Sequence, residues 1–574
     1  MSLAPYFFYT ISVFFLGVTS CIAMVQKPSK VVIPFPAPLL LLIFLSAYFL
    51  INSLFKEQPI SGRHFIIIGG CVELISFCFL FKIFGINPEK IRIAVITLII
   101  IESVVCVLQY LKFLSSLNIY FEVTGTWSNP NVTAMFLAMS SPVLFSLFST
   151  PGKMNRGVFL LTTFLMTVSL LLLKCRTAYI GFGISMILAM YSQFKPVIRL
   201  SMYQRLKRNI ILITTLVIAI ALLLSIFQQK KASTESRIFI LKISSRMFLD
   251  NPWTGIGMGR FEHDYNLQQA KYFQNKNPTA DEINNAGYVM SPYNEFLELC
   301  IEGGLPALAI LIVFVVVLVR FIIVQKVDPS YSSGLVVFGI MSLCNFSIEA
   351  IPAFAIFVLY LSLVCLENPI QLSSKWNLAL PRFAFSKTKA QTTCLVMAVI
   401  FFYQLFRQLN LAKAFYQNTI ISELNKNKQY IESLNRMTIL DETLSNNRDF
   451  LFNYAKAYIG TNQLSLATIK LKNATLLYSD PRLYIALGKC YNRQNELKAA
   501  EESFLLAKYI QPNLLVPNLE LAYNSLRQHD TVSAVLFAQN VIAQHVKNPT
   551  EESEIIKNES KKFLHDVLNH KINY

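Results

Sequence analysis

The chain has 574 residues, 54% of them apolar and only 15% charged, with a mean hydropathy of +0.47. A soluble globular domain carries about 25% charged residues and interrupts its apolar runs often, so composition excludes an ordinary soluble enzyme. The net charge of +18 does not indicate nucleic acid, because from Gln408 onward 19 basic and 16 acidic residues leave only +3, and the other +15 lies among apolar runs.

Apolar runs approaching the roughly 20 residues that cross a bilayer core begin at once. The first covers residues 6–25 and has no Lys or Arg ahead of it, which makes it a span rather than a cleaved signal. Runs follow at 33–53, 65–84, 91–111, 132–148, 158–173, 178–193 and 210–227, then at 305–324, 334–347, 354–366 and 393–406. The predicted fold is all-α, a polytopic membrane helix bundle of about twelve spans followed by a soluble α-solenoid. The predicted domains are the membrane part at 1–407, a helical linker at 408–448, tetratricopeptide-like repeats at 449–548 and a polar tail at 549–574. Most of the ten cysteines, among them Cys71, Cys78, Cys106 and Cys365, sit inside apolar runs. They read as buried thiols, and no metal or other cofactor is expected.

Basic residues alternate from loop to loop. The loops after the odd-numbered runs hold eighteen, from Lys27 and Lys30 to Lys387 and Lys389; the intervening short loops hold Lys56, Arg63, Lys112, Lys174 and Arg176. Cytoplasmic loops carry the excess of Lys and Arg. Both chain ends, the polar loop at about 228–295 and the tail are therefore expected on the far side. In a diderm bacterium that is the periplasmic face of the inner membrane, where ATP and nucleotide sugars are not at hand.

Three outward stretches carry candidate chemistry. Gly125-Thr-Trp-Ser-Asn-Pro-Asn131 opens the fifth run with turn formers and the amides of Asn129 and Asn131. Lys174-Cys-Arg-Thr-Ala-Tyr179 sets Arg176 between two runs. An arginine at membrane depth costs about 2.5–3.5 kcal/mol on insertion scales and lines a cavity or finds an anion; a lipid head-group anchor is the bland alternative. The third stretch starts at Glu235-Ser-Arg237, ahead of an apolar helix at 238–249 suited to the membrane surface, and continues through Asn251-Pro-Trp-Thr-Gly-Ile-Gly-Met-Gly-Arg-Phe261. Gly255, Gly257 and Gly259 follow no strand, which excludes a dinucleotide fingerprint. They read as a tight loop that lets backbone approach a ligand or another helix. The stretch ends with Tyr293-Asn-Glu-Phe-Leu297 and Glu302-Gly-Gly-Leu-Pro306.

In the tail, Tyr484, Leu487, Gly488, Tyr491, Ala500, Phe504, Ala507 and Pro512 match tetratricopeptide spacing, with small residues where paired helices cross. Ala455, Tyr458, Ala467 and Ala474 echo them upstream, as do Leu521, Ala522 and Ala534 downstream, at a period of 33 to 34 residues. Such repeats bind a periplasmic partner, orient a neighbouring subunit, or simply extend the chain's packing.

In this order and between these runs, the motifs resemble the O-antigen ligase and Wzy-type polymerase superfamily, over about residues 125–366. The resemblance implies transfer of a glycan from an undecaprenyl-pyrophosphate carrier to an acceptor hydroxyl, without a metal. Arg176, Arg237 and, more weakly, Arg260 would hold the pyrophosphate. The acceptor is a lipid A–core sugar for ligases, a growing polysaccharide for polymerases, or a protein side chain for O-oligosaccharyltransferases. Ligases of this family commonly carry His immediately before the Asn-x-x-Leu stretch, where Tyr293 stands here, and only His64 and His263 fall on the outward side of the membrane part. Glu295 is then the favoured base, with Asn294 beside it, because a Tyr hydroxyl stays protonated near neutrality. Glu298 lies one helical turn from Asn294 as a second choice, and Glu302 reads as structural. Catalysis by leaving-group stabilisation and acceptor positioning alone is the alternative. From other classes, a transporter for lipid-linked glycans and a non-catalytic envelope scaffold remain, although the sequence lacks the related halves common in transporters.

Overall fold

The computed structural model describes residues 4–26, 31–33, 37–85, 88–144, 153–194, 231–275, 278–324, 328–367, 383–385, 387–544, 546 and 550–569. Among these the chain forms 22 α-helices and a short ribbon in which Val31–Ile33 pairs antiparallel with Phe383–Phe385. It divides into two compact units. The first comprises Met1–Lys231, Pro252–Gly259 and Pro292–Gln408; the second comprises Ala232–Asn251, Arg260–Ser291 and Leu409–Tyr574.

The first unit contains α1 (Ala4–Gln26), α2 (Ala37–Phe55), α3 (Gly62–Phe84), α4 (Pro88–Tyr110), α5 (Pro130–Ser140), α6 (Lys153–Leu173) and α7 (Arg176–Phe194). Among the described residues five helices are long and apolar enough to cross a membrane: Ala37–Phe55, Gly62–Phe84, Glu89–Tyr110, Glu295–Arg320 and Cys394–Lys426. Tyr9–Ala23, Gly157–Leu173 and Ile351–Cys365 are apolar but shorter. The expected run at 210–227 lies outside the described residues. The run expected at 132–148 begins as an 11-residue helix that gives way to a 3-10 turn at Ser141–Val143. Every residue from Thr133 to Ser140 on α5 is buried, so this apolar segment faces protein on all sides.

Lipid tails are as apolar as leucine, so close packing rather than the hydrophobic effect holds such helices together. A Cβ on Gly70 of α3 would lie 2.7 Å from the Phe354 ring, and one on Gly334 2.3 Å from Tyr360, so small residues set the closest approaches. Eight of the ten cysteines are buried, as packing residues should be; Cys344 is exposed and Cys21 partly so.

The second unit takes α8 (Lys231–Asp250, from Ala232 on), α9 (Phe261–Asn275) and α10 (Ala280–Asn285) from the polar loop. The loop is followed in the chain by α11 (Glu295–Val324), α12 (Pro329–Ser342), α13 (Ile351–Glu367) and α14 (Lys387–Lys426). The tail then forms α15 (Tyr430–Leu444), α16 (Arg448–Gly460), α17 (Leu464–Leu477), α18 (Pro481–Arg493), α19 (Leu497–Ile510), α20 (Leu515–Arg527), α21 (Thr531–Ala543) and α22 (Glu551–Leu568). Helices pair in succession, α16 with α17, α18 with α19, and α20 with α21. Phe504 is fully buried against Gly488, where a Cβ would stand 2.5 Å from its ring.

The same backbone turn recurs through the tail. Lys428, Asn462, Asn495 and His529 have φ between 60° and 64°, at intervals of 34, 33 and 34 residues. Each is followed by an amide (Gln429, Gln463, Glu496, Asp530) that donates five residues back, to Leu424, Tyr458, Tyr491 and Ser525. This left-handed closure satisfies carbonyls freed at a helix end. The repeat therefore starts with α14 and α15, one period upstream of the expected boundary at 449, and takes in the stretch read as a linker.

Candidate functional site

The end of α2 and the start of α3 form a tight polar hairpin. The Ser61 amide donates to His64 Nδ1 (3.2 Å), so the ring proton sits on Nε2, facing Ser53 Oγ at 3.0 Å. His64, 2% exposed, is thereby consumed in a helix cap. Next to it Arg63, equally withdrawn, reaches across to α11. Its guanidinium pairs with Glu295 (2.8 Å) and Glu298, and its Nε lies 3.9 Å from Glu302. Positions 295, 298 and 302 fall on one face of a helix, and all three carboxylates are 3% exposed or less. The second oxygen of Glu295 accepts from the Ile348 amide at 2.8 Å. Glu349 adds a further negative charge nearby.

This is the main departure from the sequence reading. Glu295 is expected as a carboxylate facing an outward cavity; the structure gives both its oxygens partners and sets it against an apolar cavity of about 120 Å³. Arg63 was missed, because at the edge of an apolar run it reads as one more loop charge. The available signal was the i, i+3, i+7 stripe of carboxylates, which inside a membrane helix demands a buried cation.

The glycine motifs meet where α11 breaks. Gly304 has φ 67° and ψ −159°, and Pro306 has no N–H to give the Glu302 carbonyl. The loop at 252–259 supplies what the break removes. Ile256 and Gly257 amides donate to the Ile301 and Glu302 carbonyls (2.9 and 2.8 Å), the Leu305 amide donates to the Pro252 carbonyl (2.8 Å), and the Gly259 amide donates to Glu302 Oε1 (2.7 Å). On the loop's other side Asn52, Lys56 and Gln58 take the carbonyls of Thr254, Gly255 and Ile256. Gly255 sits at φ 63°, and a Cβ there would lie 2.4 Å from the Glu302 carbonyl. Cβ atoms on Gly257 and Gly259 would strike Gln58 and Ser61. The close approach is thus to another helix, one of the two partners the sequence allowed.

Ahead of α11, Tyr293 has φ 54°, a region that costs a non-glycine residue about 1–3 kcal/mol and persists only where surroundings impose it. Asn294 caps the helix, its Oδ1 accepting from the Leu297 amide at 3.0 Å. The Tyr293 ring lies 6.3 Å from Phe346. Asn345 donates to Thr177 Oγ1 at 2.6 Å, immediately beside Arg176 at the start of α7. The segment at 345–348 thus touches three elements, the start of α7, Tyr293 and Glu295. Arg176 opens its helix with no acidic residue in the first turn. A helix N-terminus favours an anion there and disfavours a cation, so Arg176 and the helix end together suit a bound anion.

The stretch at 125–131 is braced from α4. Buried Glu102 accepts from the Thr126 amide and hydroxyl, both at 2.8 Å, and Gln109 accepts from the Thr124 and Gly125 amides. Asn129 caps α5 by accepting from the Asn131 amide at 2.9 Å, with Pro130 at the first helical position.

Arg237 and Arg260 belong to the second unit. Arg237 is half-buried on α8, whose Phe239, Ile240, Ile243 and Met247 are buried while Ile238, Leu241 and Leu249 stay exposed. Arg260 pairs with Asp264 (3.0 Å) and donates to the Leu476 carbonyl (3.1 Å); His263 Nε2 lies 3.2 Å from the Thr475 carbonyl. Both satisfy carbonyls at the end of α17. Gln269 of α9 donates to the Ile510 carbonyl, and Arg448 pairs with Glu262 at 2.9 Å. One side of the tail helices is thus covered by the chain's own loop.

Residues 161–312 match the protein-family model described as O-Antigen ligase. No curated protein matches the chain. The matched segment includes Arg176, Arg237, the loop at 252–259 and the broken helix through Leu305, but not Arg63 or the tail.

Proposed function

We propose that this chain, whose residues 161–312 match the O-Antigen ligase family model, transfers a glycan from an undecaprenyl-pyrophosphate carrier to an acceptor hydroxyl at the periplasmic face of the inner membrane. In the reaction the acceptor oxygen bonds to the anomeric carbon as the bond from that carbon to the pyrophosphate oxygen breaks. The acceptor's proton passes to the departing pyrophosphate oxygen or to solvent, and the carrier leaves as the pyrophosphate. The observation that carries the reading is Arg176 within the matched segment, a guanidinium at the first residue of a helix. Its planar fork suits a phosphate oxygen pair, and stabilising the charge on the leaving group is where catalytic benefit is largest. The family resemblance also assigns Arg237 to pyrophosphate, and the exposed Ile238, Leu241 and Leu249 of its helix α8 suit a helix lying on lipid.

Tyr293, held in its strained conformation before the broken helix, is the residue assigned to the acceptor. Glu295 is assigned a positioning role through Arg63 and Ile348. A lipid A–core sugar is the first acceptor to test; Tyr293 in place of the ligases' His favours a growing polysaccharide as the second. The recurring helix pairs of the tail are read as tetratricopeptide-like repeats in the periplasm, with a further partner there. Purified chain, a lipid-pyrophosphate-linked glycan and lipid A–core test the reading directly: a mass increase of the acceptor by the glycan supports it, and a carrier left intact with every acceptor class refutes it.

A further inference from the structure

We infer that the tail carries a binding groove for an acidic polysaccharide, formed along α14 to α18 on residues the transfer site does not use. The cavity, about 690 Å³, is lined by Lys428, Tyr430, Phe452, Lys456, Lys489 and Arg493 among others, with no carboxylate in its wall. The repeat generates the pattern: Lys456 and Lys489 stand 33 residues apart, at matching positions on α16 and α18, and Phe452 and Ile485 precede them by one helical turn. The tail as a whole is nearly neutral, so the groove concentrates positive charge. Lys489 is paired with Glu520 at 2.8 Å and Arg482 with Asp480. Among the described residues Lys428, Lys456 and Arg493 have no carboxylate partner, and all three are exposed.

Cations line the wall beside the half-buried rings of Tyr430 and Phe452 and the aliphatic Ile459 and Ile485. Lys456 Nζ lies 5.4 Å from the Phe452 ring, so charge and aromatic face are offered side by side. Asn425 turns its amide donor to the Asn453 carbonyl, while its buried Oδ1 has no hydrogen-bond partner. Such a surface offers cations and ring faces side by side. A chain of pyranose rings bearing carboxylates or phosphates supplies the complementary groups: anions and C–H faces. An acidic peptide supplies the anions but not the hydroxyl-studded rings. The inference rests on the glycan-transfer reading for the kind of polymer, and it extends that reading by giving the chain a second glycan contact remote in sequence from the matched family segment.

The experiment is calorimetric titration of the full chain in detergent with hexagalacturonate, maltohexaose and hexaglutamate as probes. Hexagalacturonate should bind, more weakly as salt screens the charges. The Lys428→Ser/Lys456→Ser/Arg493→Ser variant should bind it at least about tenfold more weakly, since its charged hydrogen bonds are lost. Phe452→Leu, which keeps the apolar volume and removes the ring, should weaken hexagalacturonate several-fold and leave hexaglutamate unchanged. The proposal is overturned if hexagalacturonate fails to bind, if neither variant changes its affinity, or if maltohexaose or hexaglutamate binds as tightly. Binding is read without turnover. Wild-type groove binding without transfer activity would refute the function alone, and transfer without groove binding would refute the groove alone.

Discussion

Arg63 and Glu295 show how differently two members of one buried cluster should respond to change. Removing the cation leaves Glu295, Glu298 and Glu302 without the charge they surround, and stripping one partner from a buried ion pair costs about 3–5 kcal/mol. Arg63→Met should therefore lower the thermal unfolding midpoint in detergent sharply, whereas Glu295→Gln, which keeps the shape and the bond to Ile348, should lower it far less. Activity separates positioning from proton transfer. A general base contributes about 10²- to 10⁴-fold, so a loss of that size in the stable Glu295→Gln protein would restore the base assignment that its two engaged oxygens disfavour. Arg176 is read out differently. Arg176→Lys keeps the charge and loses the bidentate fork; transfer should fall at least about tenfold at normal expression, through the leaving-group term. Wild-type transfer by that variant would remove the pyrophosphate role.

At the scale of elements, the break in α11 and the loop at 252–259 are one construction, because each supplies the backbone partners the other lacks. Gly255→Ala puts a Cβ 2.4 Å from the Glu302 carbonyl at a positive φ. It should cost at least about 2 kcal/mol and lower the unfolding midpoint, while Gly287→Ala, with open space around it, should do neither. A second element carries its own pH signature. Burial pushes the Glu282 carboxyl up, but hydrogen bonds from Lys242 (2.5 Å) and Tyr272 (2.7 Å) outweigh it and hold the group at about 2, below its ordinary 4.5. A depressed carboxyl contributes stability that is present above 4.5 and lost as pH falls toward 2. The difference in unfolding midpoint between wild type and Glu282→Gln should accordingly shrink across that window; a constant difference would contradict the pairing. What was legible in the sequence follows the same division. The 33-to-34 period was plain where aromatic and alanine positions marked it, and invisible at 408–448, where only the turn at Lys428 keeps the repeat. The glycine loop was legible as a close approach, but its partner was not, since the vacancy it fills is created by Gly304 and Pro306 about fifty residues on. The carboxylate stripe at 295, 298 and 302 calls for a buried cation, but nothing local names Arg63, because its pairing joins helices distant in sequence.

For the whole molecule the decisive question is which side of the membrane holds which segment. The loop helix α9 packs on the tail helix α19, and Gln269 donates to the Ile510 carbonyl. Both are parts of one compact unit, so the loop and the tail must lie on the same side, as the alternating loop charges require. The eighteen-to-five excess of Lys and Arg in the opposite set of loops predicts that this is the non-cytoplasmic side, since loops rich in basic residues stay in the cytoplasm. Alkaline phosphatase fused after Asn548 should therefore be active, and a reporter that works only in the cytoplasm should be silent there; the same fusions placed within 276–277 of the loop should give the same answer. Opposite answers from the two sites would break the packing of loop on tail. A cytoplasmic answer from both would keep that packing and reverse the membrane, removing Arg176 and Tyr293 from the face where a lipid-linked glycan is presented and with them the proposed reaction.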